Sequence, residues 1–81
     1  MNRNPQILLM LLGRNISRIR KKKGYTQTRL ADELEMDRSN LRRIEAGRTN
    51  PTATTLFRIC RVLSVHVVQL FDFDENEEVG E

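Results

Sequence analysis

Residues 37 to 49 read DRSNLRRIEAGRT. Arginine presents a planar fork of donors that pairs with O6 and N7 of guanine. Asparagine can make a similar pair with adenine, and serine serves either base. On a helix turning about 100° per residue, Leu41 and Ile44 mark a buried stripe. Ser39, Arg43 and Ala46 then point the opposite way, with Arg42 beside them and Arg38 and Asn40 at the margins. Ala46 keeps one point of the outward face slim. Such a face could read base edges in a DNA groove. The bland alternative is a set of solvated surface arginines.

Other residues point to phosphate. Gln27 opens an earlier helix, where free backbone N–H groups and the helix dipole favour an anion. Asn40 on the third helix, and Arg48 and Thr49 just past its end, are candidate phosphate contacts. Lys21 to Lys23 read as a solvated helix end that adds long-range attraction.

The charge distribution agrees. Residues 1 to 71 hold all 14 Lys and Arg against five acids, a net +9, while the last ten residues hold the other six acids. A basic body with an acidic tail suggests a polyanionic partner, although solvated charge would look the same.

Little suggests other chemistry. No nucleophile, base and orienting group cluster in sequence, and no glycine-rich phosphate loop is present, so an enzyme is not expected. One cysteine precludes an internal disulfide, and with His66 as the sole histidine no zinc-ligand pattern exists. No metal or cofactor is expected. Cys60 falls on a core face and reads as a small apolar filler, and His66 as a surface or interface residue. The cysteine usage fits a reducing, cytoplasmic setting. The run Ile7 to Leu12 is too short to span a bilayer and makes a poor signal peptide, since it leads into a charged helix without a small-residue cleavage site.

These residues must be held by helices. Eighty-one residues allow one domain with a small core. Asn4-Pro5 can start the first helix, Lys21 to Lys23 suit the negative end of its dipole, and Gly24 stops it. Gly13 marks either a kink or the true start. Thr26 caps the second helix, with Tyr25 and Leu30 spaced as a hydrophobic staple. Asp37 caps the third, with Met36 and Leu41 as its staple, and Gly47 ends it. Thr52 caps a fourth, with core residues Leu56, Ile59, Cys60 and Leu63. VHVVQLFDF, residues 65 to 73, could be a short strand or a short helix. An acidic tail from residue 74 to 81 is expected to be disordered.

The stretch from Ile19 to Val65 resembles the lambda-repressor-like (XRE-type) helix-turn-helix family. The matching features are Thr26-Gln27 opening a helix, Leu30-Ala31, the Arg/Ser-rich third helix, Ile44-Glu45-Ala46-Gly47, Pro51-Thr52 and Leu70-Phe71. Each is weak alone; their order and spacing are specific. The likeness covers residues 13 to 73 and leaves 1 to 12 as an apolar N-terminal arm or helix extension. It implies an all-α bundle of five compact helices, the last a short helix at 67 to 71, with the second and third forming the DNA-binding unit. It assigns base readout to Arg38, Ser39 and Arg43, with Arg42 between base and phosphate, and a phosphate contact to Gln27. Glu45 falls near the buried stripe and Arg20 at the edge of the first helix's stripe. The resemblance implies an ion pair between them, a structural tie. Two positions depart from the family pattern. Glu35 stands in the turn where glycine is usual, and His66 where serine often caps the last helix.

The resemblance extends to small phage repressors and restriction–modification controller proteins, a family common in bacteria and phages. The expectation is a sequence-specific DNA-binding transcriptional regulator, activator or repressor, acting as a homodimer on a (pseudo)palindromic operator. A chain this short leaves no room for a small-molecule effector domain. The alternatives are an adaptor, such as an antitoxin, that uses the same fold on a protein partner, and nonspecific nucleic-acid binding. Two apolar surfaces could support a dimer. The wheel puts Leu8, Leu9, Leu12, Ile16 and Ile19 on the core side of the first helix and Ile7, Met10 and Leu11 on its far side. Val65, Val67, Val68, Phe71 and Phe73 exceed what a five-residue helix can bury. The family often dimerises through that helix and the loop before it, so Val65, Val67, Val68 and Phe71 are the favoured interface.

Overall fold

A computed structural model describes residues 3 to 78. They form α1 (Pro5–Lys22), α2 (Gln27–Leu34), α3 (Arg38–Glu45), α4 (Ala53–Leu63) and α5 (Val67–Leu70), with no strand among the described residues. The all-α, five-helix reading is borne out, and the valine-rich segment is helical.

Local chemistry sets most boundaries. Asn4, Thr26 and Thr52 each accept a hydrogen bond from the backbone N–H three residues on, at 3.0, 3.1 and 3.1 Å. Each satisfies one of the donors that a helix start leaves free. Asp37 departs from expectation: it takes the cap backbone position, but its side chain makes no cap hydrogen bond. At the start of α5 the capping runs the other way, with the His66 N–H donating to the Gln69 side chain at 2.9 Å. Glu35 adopts the left-handed conformation that its place in the turn demands, with φ 56°. The turn is retained at a cost of about 1 kcal/mol relative to glycine. Ser64 does the same after α4, with φ 57°.

The core gathers one face from every helix. Ile16, Leu30, Leu34, Leu41, Ile59, Leu63 and Leu70 are almost wholly buried. Their burial draws α2 and α3 together across a three-residue corner, so the polar face of α3 must point outward.

α1 corrects two expectations. It is continuous from Pro5, so Gly13 does not mark its start. Instead Gly13 lets the last turn of α3 approach, since a Cβ there would lie 2.4 Å from the Ile44 carbonyl oxygen. Leu11, expected on a free far side, is 2% exposed, and Met10 is half-buried with its backbone close against Gly47. The reason is that both flanks of α1 are covered. The end of α3 covers the flank of Met10 and Gly13. On the other flank Leu11 lies between Arg14, which bonds Glu77 and Glu78, and Asn15, which bonds Gln69 and Leu70.

That contact also changes the reading of the tail. Arg14 bonds the Glu77 carboxylate at 3.1 Å and the Glu78 carbonyl at 3.2 Å, and Arg3 bonds the Glu77 carbonyl at 3.0 Å. Glu77 and Glu78 are therefore held beside α1, with the Glu77 carboxylate paired to Arg14. The remainder of the expected tail lies outside the described residues.

Candidate nucleic-acid interface

The outward face of α3 is built by subtraction. Leu41 and Ile44 are buried, at 0% and 3% exposure. Helical spacing then leaves Arg38, Ser39, Arg42 and Arg43 exposed. Among the described residues none of these arginines, nor exposed Arg48, is in an ion pair. Arg38 donates weakly to Thr28 Oγ1 at 3.3 Å, which links the start of α3 to the start of α2. Asn40 is half-buried and its amide leans toward Met36 Sδ at 3.8 Å, further inward than the sequence suggested. The Arg48 N–H donates to the Arg43 carbonyl at 2.9 Å, continuing the end of α3, and Thr49 is half-buried beside it.

Beside this face the start of α2 opens into a polar cleft of 550 Å³, lined by Arg20, Lys21, Tyr25, Gln27, Thr28 and Arg38 among others. Thr26 Oγ1 satisfies the Arg29 N–H. The Gln27 and Thr28 N–H groups have no acceptor within the helix. A helix start with free donors, flanked by cations, suits an anion.

The two parts are joined beneath the surface. Arg20 Nε donates to Glu45 Oε2 at 2.7 Å and Arg20 Nη2 to Glu45 Oε1 at 3.1 Å, with the two side chains 8% and 6% exposed. Arg20 Nη1 also donates to the Tyr25 carbonyl at 2.8 Å. The pair ties the last residue of α3 to α1 and to the loop before α2. Gln27 Nε2 joins it, donating to Glu45 Oε1 at 2.9 Å. Sequence reasoning gave Gln27 an outward role and missed this inward bond.

Three other ties were missed. Asn15, 4% exposed, donates from Nδ2 to the Gln69 and Leu70 carbonyls at 2.9 and 2.8 Å, while its Oδ1 accepts from Arg18 at 2.6 Å. Its signal was legible, because Asn15 interrupts the stripe of Leu8, Leu12 and Ile19 with a polar group. Arg58 donates to the Leu34 carbonyl and closes the end of α2 from α4. Arg29 lies over the Tyr25 ring, 4.4 Å from its centroid. The Arg58 contact, between residues 24 positions apart, has no local sequence signature.

Away from the arginine face, Val67, Val68 and Phe71 are 41%, 70% and 49% exposed. Val65 is half-buried and packs on the core. Phe57 on α4, 57% exposed, is a further bare apolar side chain that the sequence reading did not single out. Cys60 is buried, and burial pushes its thiol pKa up, away from the reactive thiolate. Among the described residues no three His, Cys, Asp or Glu side chains gather as metal ligands. No helix of the described residues is long and apolar enough to cross a membrane.

A model of the helix-turn-helix family matches residues 16–70. The chain is 37% identical over 60 residues to an uncharacterised helix-turn-helix transcriptional regulator, y4dJ, of Sinorhizobium fredii, covering 74% of this chain and 78% of that one. It is 38% identical over 58 residues to the immunity repressor of Bacillus phage phi105, covering 72% of this chain but only 40% of the repressor. Among solved structures, the restriction–modification controller protein C.AhdI of Aeromonas hydrophila superposes with a TM-score of 0.75 at 27% identity, over 78% of this chain and 96% of that one.

Proposed function

The chain belongs to the helix-turn-helix family of transcriptional regulators, and on that premise we propose that it binds DNA in a sequence-specific way, with α3 in the major groove. The observation that carries this is the exposed, unpaired cluster of Arg38, Ser39, Arg42 and Arg43 beside the open start of α2. A helix fits the major groove, and arginine is the commonest reader of guanine there. Arg38, Ser39 and Arg43 read bases, with Arg42 shared between base and phosphate. Gln27, Arg48, Thr49 and, more weakly for its inward lean, Asn40 hold phosphates.

One such helix reads too few base pairs to mark a genomic site. The protein acts as a homodimer on a (pseudo)palindromic operator, its half-sites about 34–36 Å apart. Val65, Val67, Val68 and Phe71 supply the dimer contact, supported by the exposure of the last three. It works in the cytoplasm.

Selection from a random duplex pool tests the reading. A defined half-site is expected, and Arg43→Ala should relax preference at one base pair of it, at a cost of about 1–3 kcal/mol. An equal loss on every DNA sequence would remove Arg43 from base readout.

A further inference from the structure

We propose that Glu45 is a positioning residue for DNA binding: one of its carboxylate oxygens fixes the Gln27 side-chain amide so that the amide's second hydrogen is held for a phosphate at the start of α2. The proposal rests on the reading of Gln27 as a phosphate contact.

The geometry separates two tasks within one carboxylate. Glu45 Oε2 takes Arg20 Nε at 2.7 Å, and Oε1 takes Arg20 Nη2 at 3.1 Å. The ion pair is then complete and bidentate. Glu45 Oε1 nevertheless accepts a further bond, from Gln27 Nε2 at 2.9 Å. Neutralising the buried charge does not require it. Its consequence falls on Gln27. A primary amide is planar and carries two hydrogens on nitrogen, so committing one to Glu45 fixes the direction of the other. Gln27 is half-buried and lines the polar cleft with Thr28 and Arg38. A free glutamine would have to be ordered when DNA binds; here folding has already ordered it.

The arrangement also sets a register. Glu45 is the last residue of α3 and Gln27 the first of α2. The same carboxylate that anchors the end of the reading helix to α1 therefore aims the phosphate contact. A movement of α3 carries that contact with it.

Coulomb's law alone makes the opposite prediction. Removing a carboxylate near a polyanion should tighten binding. If Glu45 aims Gln27, Glu45→Gln should weaken binding instead. A carboxamide has one acceptor oxygen, and the donors of Arg20 and Gln27 would compete for it.

The test is a four-way comparison of wild type, Gln27→Ala, Glu45→Gln and the double variant. Duplex affinity is measured by fluorescence anisotropy at a temperature where circular dichroism shows each to be folded. Glu45→Gln should weaken binding about five- to tenfold more in the wild-type background than in the Gln27→Ala background. Because glutamine is uncharged, the salt dependence of Gln27→Ala should match that of wild type. Should Glu45→Gln not fold, NMR relaxation of the unmodified protein reads the same feature. The Gln27 side-chain amide should have an order parameter near the rigid value of about 0.85. An equal Glu45→Gln effect in both backgrounds, or a Gln27 amide order parameter below about 0.6, overturns the proposal. If Gln27→Ala binds as tightly as wild type, Gln27 holds no phosphate, and the proposal falls while the DNA-binding reading stands. If wild type binds no duplex at all, both fall.

Discussion

Replacing Gly13 by alanine sets two effects of opposite sign against each other. Within a helix, alanine is favoured over glycine by about 0.5–1 kcal/mol, so α1 taken alone would gain. The added methyl, however, would lie 2.4 Å from the Ile44 oxygen, 2.5 Å from the Glu45 oxygen and 2.7 Å from the Glu45 carbonyl carbon. All three are backbone atoms, so no rotamer change relieves the contact. Even a close carbon–oxygen contact is about 3.3–3.6 Å, so the last turn of α3 must withdraw by roughly 1 Å. That movement acts on the Glu45 carboxylate, whose bond to Arg20 Nε is 2.7 Å long and buried. Overpacking costs about 1–3 kcal/mol, and loosening the ion pair adds to it. The clash should outweigh the helix gain, leaving Gly13→Ala destabilised by about 1–3 kcal/mol. For a domain of this size each kcal/mol lowers the melting temperature by about 4–8 °C. Thermal unfolding followed by circular dichroism measures this. Gly24→Ala is the control: its φ is 84° with nothing near an added Cβ, so it should lose only about 1 kcal/mol through backbone strain. Below its unfolding transition Gly13→Ala should also bind a selected duplex less tightly, because α3 has moved. A melting temperature equal to or above wild type would refute the close approach of α1 and α3.

In denaturant unfolding, Arg20→Met and Glu45→Gln should each cost about 3–5 kcal/mol by stranding a buried partner, and the double variant less than their sum. Strict additivity would mean that the two side chains do not interact in solution. Asn15→Leu removes the donor to the Gln69 and Leu70 carbonyls and should cost about 1–3 kcal/mol. Hydrogen exchange should show the segment from Leu70 to Phe73 losing protection first, and unchanged protection there would remove Asn15 as its anchor. Sedimentation at micromolar concentration should show a dimer that Val68→Asp dissociates. A wild-type chain that stays monomeric on a palindromic duplex ends the dimer reading.

The sequence was most legible where one residue answers one local need. Asn4, Thr26 and Thr52 cap helices because a side-chain oxygen three residues before a free N–H can reach it whatever the rest of the chain does. The outward set on α3 followed from Leu41 and Ile44, since two buried positions fix a helix's rotation. Periodicity failed at VHVVQLFDF, where branched residues favour a strand but Leu70, 0% exposed, packs into a helical bundle. There the family resemblance, not the spacing, supplied the helix.

By itself the sequence determined the first four helices, the inward faces of α2 to α4 and the arginine-rich surface of α3, because each depends on chain-local spacing and capping. The tertiary structure decided what lies against what. A wheel for α1 shows a far side bearing Met10 and Leu11 and cannot show that neighbours cover it. That came from Gly13, whose missing side chain admits the end of α3, and from Asn15 and Arg14, which bond the Gln69 and Leu70 carbonyls and Glu77 and Glu78. Gln27 likewise has an obvious place at a helix start, yet its bond to Glu45 joins residues 18 positions apart on different helices. Such a contact exists only once α1, α2 and α3 have packed around Arg20, and packing of that kind is a property of three faces together, which no single stretch of sequence contains.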